Sequence, residues 1–293
     1  MFEGFERKRI KVTDRDIDIN LMAGGKGPAL LLLHGYPQTL AIWRKIAPRL
    51  TERFTVVVTD LRGYGDSSKP AGLPDHSNYS KREMARDQVE VMRALGHERF
   101  YLVGHDRGGR VAHRLAADHP ERVNRLVTLD IAPTKAMYEQ TTMAFARAYY
   151  HWFFLIQPAP FPETLIGANV AAYLHHHMGR FAGLAPFMPE GWPEYLRCNS
   201  DPATIHANCE DYRAAASIDL EHDAADIAAG RKVQCPLLAL WGKQGVIEKQ
   251  FHALDDWRKV ASDVRGGSID CGHYIPEEAP DALYDELIAF LPT

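Results

Sequence analysis

Short unbroken apolar runs recur along this chain: "ALLLLHG" from Ala29, "TVVVTD" from Thr55, "FYLVGH" from Phe100, "RLVTLD" from Arg125 and "CPLLALWG" from Cys235. A strand with one wet face alternates polar and apolar residues, whereas a strand covered on both faces reads as a continuous apolar run. Stretches with helical spacing lie between the first of these: "TLAIWRKIAPRL", "KREMARDQVEVMRALG" closed by Gly96, and "GGRVAHRLAADHP". Strands of this kind separated by helices predict an α/β architecture, a mostly parallel sheet flanked by helices on both faces.

From about Thr134 to about Ala229 the rhythm changes to helical, aromatic and proline-interrupted sequence. "AMYEQTTMAFARAYYHWFFLIQP" is too aromatic for an ordinary exposed helix and should face a core below and a cavity above. At "CPLLALWG" the strand pattern resumes, followed by the helix "HALDDWRKVA", a strand around "GGSID" and the closing helix "PDALYDELIAFL". The order predicts a core built from residues 1–133 and 230–293, with a helical cap over 134–229. At 293 residues the chain is long enough for one such elaborated domain. A net charge of −4, with no run of lysine and arginine, argues against a nucleic-acid partner. The opening "MFEGFERKRIKV" has no apolar segment of signal-peptide length, and no stretch is apolar enough to span a bilayer. Cys198, Cys209, Cys235 and Cys271 lack C-x-x-C spacing and read as reduced thiols. A soluble, cytoplasmic protein without a membrane partner is the expectation.

The run "YLVGHDRGGR" (Tyr101–Arg110) reads as a buried strand, a glycine-flanked turn and a helix start. Hydrolases display a nucleophilic serine in such a turn, as G-x-S-x-G, but the central residue here is Asp106. A serine must lose its proton to a neighbouring base, whereas a carboxylate is already ionised near neutral pH. Asp106 can therefore attack a saturated carbon bearing a leaving group and form an ester, which water then hydrolyses. In open α/β sheets functional groups gather at the carboxyl ends of the strands. Two further ends carry candidates, Asp130 closing "RLVTLD" and His273 in "DCGHYIPEEAP". A lone aspartate at a strand end is usually a helix cap. The order nucleophile, acid, helical insertion, histidine instead makes His273 the base and Asp130 the acid that orients it. The other place for this acid, in a W-G-x-x-D pattern, falls on Gly245; Glu248 would need a shifted loop. By analogy, the oxyanion of the ester's hydrolysis would meet the backbone N–H groups of Arg107 and of Tyr36 in "HGYPQ". Arg107 and Arg110 stand one turn apart at a helix start, where the dipole disfavours cations, so an anion is expected beside them. The plainer alternative pairs both with surface acids or with Asp106.

With these residues in place, the chain resembles the fluoroacetate dehalogenases, a haloacid-hydrolysing branch of the α/β-hydrolases. The similarity runs through the broad motifs "HGYPQ", "DLRGYGDS" and "GHDRGGR" and the narrower "LDIAPT", "YYHWFFLIQPAPFPE", "CEDYRA" and "CGHYIPEEAPD", over nearly the whole chain. The resemblance implies the α/β-hydrolase fold with an inserted helical cap. It also implies hydrolytic dehalogenation of haloacetates, fluoroacetate to glycolate and fluoride above all, with no cofactor and no metal. It makes Asp106 the nucleophile, Asp130 the acid and His273 the base. Arg107 and Arg110 would bind the substrate carboxylate, and His151, Trp152 and Tyr212 the departing halide. A homodimer is implied by the resemblance alone. Tyr36 departs from it, since phenylalanine is more usual there, and its hydroxyl could alter the entrance; the loop Lys243–Lys249 also looks variable.

Plainer readings compete at several positions. Consecutive helical residues point in different directions, so His175, His176 and His177 read as surface or packing histidines rather than a chelate. His34 would brace the oxyanion loop, and Arg62, Tyr64 and Asp66 would stabilise theirs. Without the family motif, Trp152 and Tyr212 would read as ordinary cap core. An epoxide hydrolase would use the same nucleophile and base with two tyrosines, for which Tyr149, Tyr150, Tyr173, Tyr195 and Tyr212 are candidates. A non-catalytic receptor for a small acid would not require Asp106, Asp130 and His273 together.

Overall fold

Eight strands form one sheet, and their order explains why distant residues meet at one edge. The structure, a computed structural model, describes residues 1–12 and 16–292. The strands are β1 (Glu6–Val12), β2 (Ile17–Gly24), β3 (Ala29–Leu33), β4 (Thr55–Thr59), β5 (Phe100–His105), β6 (Val123–Leu129), β7 (Leu237–Gly242) and β8 (Val264–Ile269). They lie side by side as β1-β2-β4-β3-β5-β6-β7-β8. From β4 through β8 every pairing is parallel, while β1–β2 and β2–β4 are antiparallel.

Each apolar run of the sequence lands on an inner strand, and every residue of β3 and β5 is buried. Side chains alternate across the sheet. Leu31, Leu33, Val57 and Leu102 thus pack on one face with Val111 and Leu115 of the helix Arg107–Asp118. Leu30, Leu32, Val56, Val58 and Val103 pack on the other, with Leu283 and Leu287 of the closing helix Pro280–Phe290. The hairpin β1–β2 does not follow the inner-strand pattern. "ERKRIKV" is largely exposed and β2 buries Ile17, Ile19 and Leu21 on one side, as an antiparallel edge does. The predicted helix "TLAIWRKIAPRL" divides into a 3₁₀ turn, Leu40–Lys45, and a short helix, Ala47–Leu50, in which Pro48 occupies the first turn. Proline has no N–H to continue the preceding turn.

Between β6 and β7 the described residues are helical and contain no strand, running from the helix Thr134–Glu139 to the helix Ile218–Ala228. The aromatic stretch breaks into three short helices, Thr134–Glu139, Met143–Ala148 and Tyr150–Phe154. Their inward side chains, among them Phe145, Tyr149 and Trp152, are buried and belong to the same cluster as the sheet face beneath. None of the helices formed by the described residues is long and apolar enough to cross a membrane.

Because β3, β5 and β6 are neighbours and β7 and β8 follow, Tyr36, Asp106, Asp130 and His273 leave the sheet at the same edge. The approach of these loops depends on missing side chains. A Cβ on Gly108 would lie 2.3 Å from the His34 carbonyl oxygen and 2.6 Å from the Leu33 carbonyl carbon, backbone atoms that cannot swing away. Gly108→Ala is therefore expected to lower the denaturant midpoint by the equivalent of about 1–3 kcal/mol. Parent-like unfolding would mean that the β3 and β5 loops are not in van der Waals contact.

Candidate active site

Asp106 sits between β5 and the helix Arg107–Asp118 at φ 46° and ψ −115°, a conformation few residues other than glycine adopt. The turn is closed by the Arg110 N–H, which donates to the Asp106 carbonyl at 3.2 Å. The carboxylate is buried, and its Oδ1 accepts from the Tyr36 backbone N–H at 3.0 Å. Gly35 makes this reach possible, since a Cβ there would lie 2.5 Å from the Asp106 Cβ. Arg107 is the first helical residue, so its N–H is among those with no partner inside the helix. Burial pushes the Asp106 pKa up, but the charges of His273, Arg110 and Arg107 outweigh it and hold the group below the usual carboxylate value. The carboxylate is ionised at neutral pH.

His273 donates from Nδ1 to Asp130 Oδ2 at 2.5 Å, and Asp130 Oδ1 accepts from the Gly242 N–H at 2.8 Å. Burial lowers the His273 pKa, but the hydrogen bond and charge of Asp130 reverse this and raise it above the usual imidazole value. The Nδ1 bond commits Nε2 to acid–base work. The alternative acid position is closed in this geometry. A Cβ on Gly245 would stand 3.3 Å from Asp130 Oδ1, so an acid there would crowd Asp130. Glu248 instead accepts from the Trp241 indole N–H.

The two arginines, which look alike in sequence, differ in their surroundings. Arg107 holds Asp211 with both arms of its fork, Nε to Oδ2 at 2.9 Å and Nη2 to Oδ1 at 2.8 Å, and only Nη1 lacks a partner. Lys81 also binds Asp211, and the Tyr64 hydroxyl donates to it at 2.6 Å. Arg110 is just as deeply buried, yet it has no carboxylate partner among the described residues. It donates to the Ala132 carbonyl at 3.1 Å and the Thr134 hydroxyl at 3.0 Å, and its Nε is unpartnered. Burial and then the charge of Arg107 push the Arg110 pKa down, whereas Asp211 outweighs burial and holds that of Arg107 well up. Arg110 is a buried cation facing Asp106 without a counter-ion of its own.

Above this pair stand the three polar aromatic residues. Trp152 and His151 lie in the helix Tyr150–Phe154, and Tyr212 in the helix Pro202–Ala215. The Trp152 ring stacks under the Arg110 guanidinium at 4.6 Å and the Tyr212 ring under that of Arg107 at 4.1 Å. The His151 and Tyr212 ring centres are 5.7 Å apart. His151 Nδ1, Trp152 Nε1 and the Tyr212 hydroxyl are all buried without a hydrogen-bond partner. Burial, then the nearby His177 and Arg180, drive the His151 pKa far down, so the ring is neutral. Leaving one such buried group unpaired costs about 1–3 kcal/mol, so three beside a cation with no bonded carboxylate make this a candidate anion site.

Other sequence candidates fall into supporting roles. His34 accepts from the Leu61 N–H at 3.0 Å through Nε2 and meets the Gly35 carbonyl through Nδ1, which ties the Tyr36 loop to the strand beside it. Arg62 grips Asp87, and Asp66 pairs with Arg7 and Arg197 near the surface. The Tyr36 hydroxyl donates to the Tyr173 hydroxyl at 3.0 Å. In the triple histidine, His175 and His176 are exposed while His177 is buried, its ring centre 4.5 Å from that of His151. Sequence reasoning missed Asp211 as the partner of Arg107, and Lys81 as the second cation on that carboxylate. Asp211 stood in "CEDYRA" beside Tyr212, whereas Lys81 opens an ordinary amphipathic helix and carried no signal.

The sequence pattern of the α/β hydrolase fold family matches residues 28–280. A fluoroacetate dehalogenase of Burkholderia sp. is 50% identical over 99% of this chain and 95% of its own length. A soluble epoxide hydrolase of Corynebacterium sp. (strain C12) is 35% identical over 93% of both. Among solved structures, an α/β hydrolase from Nostoc sp. PCC 7120 superposes with a TM-score of 0.96 at 57% identity, covering 99% of each chain.

Asp211 is the counter-ion on which this buried charge cluster balances. Asp211→Asn leaves Arg107 without a carboxylate and Lys81 with Asp219 alone, 3.5 Å away, and should cost about 3–5 kcal/mol in chemical denaturation. A loss below 1 kcal/mol would mean that water or another acid already neutralises them.

Proposed function

Since this chain belongs to the α/β-hydrolase family, and half its residues match a fluoroacetate dehalogenase along its length, we propose that it hydrolyses haloacetates through an ester on Asp106. The observation that carries this reading is the set of buried, unpartnered donors on His151, Trp152 and Tyr212 beside Arg110, a buried cation lacking a carboxylate. The helices between β6 and β7 act as a cap that holds these donors over the nucleophile.

The substrate carboxylate lies against Arg110 and the free Nη1 of Arg107, which aims its α-carbon at Asp106. Asp106 Oδ1 is engaged by the Tyr36 N–H, so Oδ2 is the attacking oxygen. It forms a bond to the α-carbon as the carbon–halogen bond breaks, and the halide takes the electron pair. Fluoride is small and strongly hydrated in water, so a dry site must replace its water with donors. Neutral imidazole, indole and phenol supply them without bringing a negative charge. The ester carbonyl is then Oδ1, already on the Tyr36 N–H. His273 takes a proton from water, the resulting hydroxide attacks the Asp106 carboxyl carbon, and the oxyanion grows on Oδ1 between the N–H groups of Tyr36 and Arg107. Collapse breaks the bond between the carboxyl carbon and the substrate oxygen, the departing alkoxide takes the proton held by His273 to give the hydroxy acid, and the carboxyl group of Asp106 loses its proton to solvent and is a carboxylate again. The same nucleophile and base would open an epoxide, but an uncharged epoxide leaves Arg110 without its anion.

Two measurements test this function. Ester formation does not require the base, whereas ester hydrolysis does, so His273→Asn should release about one halide per site and retain a covalent adduct on Asp106 by mass spectrometry. Steady turnover by that variant, or no halide from the parent enzyme with any haloacetate, would sink the mechanism. Each donor is worth about 1.5–3 kcal/mol toward a charged partner. Trp152→Phe and Tyr212→Phe should therefore depress fluoroacetate turnover at least tenfold more than chloroacetate turnover, since chloride is larger and less strongly hydrated. Equal losses with both halides would reduce these residues to packing.

A further inference from the structure

A cavity of about 270 Å³ opens beside the buried site and reaches His273 and Tyr149. It is lined by Arg180, from the helix Val170–Ala182, by Gln244 of the turn after β7 and by Lys249 of the short helix Val246–Gln250. Lys249 is exposed and leans over the mouth, donating from Nζ to the Gln244 carbonyl at 2.7 Å. Arg180 is half-buried, with its guanidinium 5.6 Å from the centre of the Tyr150 ring, in the same short helix as His151 and Trp152. Among the described residues Glu278 is the only carboxylate on the lining, and its charge is engaged by the N–H groups of Gly272 at 2.7 Å and Tyr274 at 2.9 Å. The cations from mouth to interior are Lys249, exposed, then Arg180, half-buried, then Arg110, buried.

We infer that this cavity is the entrance for the anionic substrate, and that Lys249 and Arg180 are specificity-determining residues that concentrate it there. The inference rests on the haloacid reading above and names the route to that site. A chain with a net charge of −4 repels a small carboxylate at long range. A cleft whose lining is locally cationic reverses this over a few ångströms and raises the local concentration of the anion. The narrow interior cannot supply that attraction from a distance, because salt screens charges beyond about 8 Å at physiological ionic strength. Gly245 also takes part, since its missing side chain leaves space on the lining directly beside Asp130.

The test is steady-state halide release by the full-length enzyme, as Lys249→Gln, Arg180→Gln, the double variant and Lys249→Glu. Chloroacetate and fluoroacetate are compared at low ionic strength and at about 0.5 M salt. Lys249→Glu should lose about tenfold in kcat/KM at low salt, through KM, with kcat unchanged, the double variant should lose at least as much in kcat/KM, and most of each loss should vanish at high salt. Lys249 is on the surface, so its variants report even if Arg180→Gln folds poorly. Unchanged KM in Lys249→Glu, a loss that salt does not relieve, or a fall in kcat instead (a product-release step) would each overturn the inference. Failure of the functional reading is separately visible, because the parent enzyme would then release no halide.

Discussion

Everything at this site depends on the contact between two backbone turns. The loop after β3 and the turn after β5 approach so closely that a Cβ on Gly108 would sit 2.3 Å from the His34 carbonyl oxygen, and one on Gly35 would overlap Asp106. Only at that separation does the Tyr36 N–H reach Oδ1, the bond that in the proposed mechanism selects the attacking oxygen and prepares the oxyanion donor. Holding Asp106 at positive φ costs about 1–3 kcal/mol, and the packing of β5 against the helix Arg107–Asp118 offsets it.

The second constraint is electrostatic. Three cations, Lys81, Arg107 and Arg110, are buried around the nucleophile, and a buried charge is tolerated only with compensation. Asp211 compensates the first two, which leaves Arg110 to neutral acceptors, aromatic faces and the field of Asp106. The neutral donors above it follow the same logic. His151 is kept uncharged by burial, so the site offers hydrogen bonds without the cost of another buried ion. In the proposed function an entering anion supplies the partner that Arg110 lacks, and the charge that develops on the departing halide meets donors held in place beforehand.

How much of this was legible in the sequence follows from which forces are local. The inner strands announced themselves because burial on both faces forces a continuous apolar run, and the turn at Asp106 because its glycines have no substitute at those distances. The edge hairpin β1–β2 was missed, since a half-exposed strand written "ERKRIKV" differs little from a charged tail. The division of labour between Arg107 and Arg110 could not be read at all. Their spacing is that of one helix face, and the partner that separates them, Asp211, lies 104 residues further along.

The sequence by itself determined the layered architecture, the carboxylate of Asp106 in the glycine turn after β5, and the chain order of Asp106, Asp130 and His273, because each is encoded in local pattern or chain order. Only the tertiary structure decided which arginine keeps its charge free, which oxygen of Asp106 is held by Tyr36, that the Tyr36 hydroxyl turns to Tyr173, and that His177 alone of its triplet is buried. Those outcomes are set by what meets across the fold, where burial strengthens electrostatic interactions and an unmatched polar group finds no water to satisfy it.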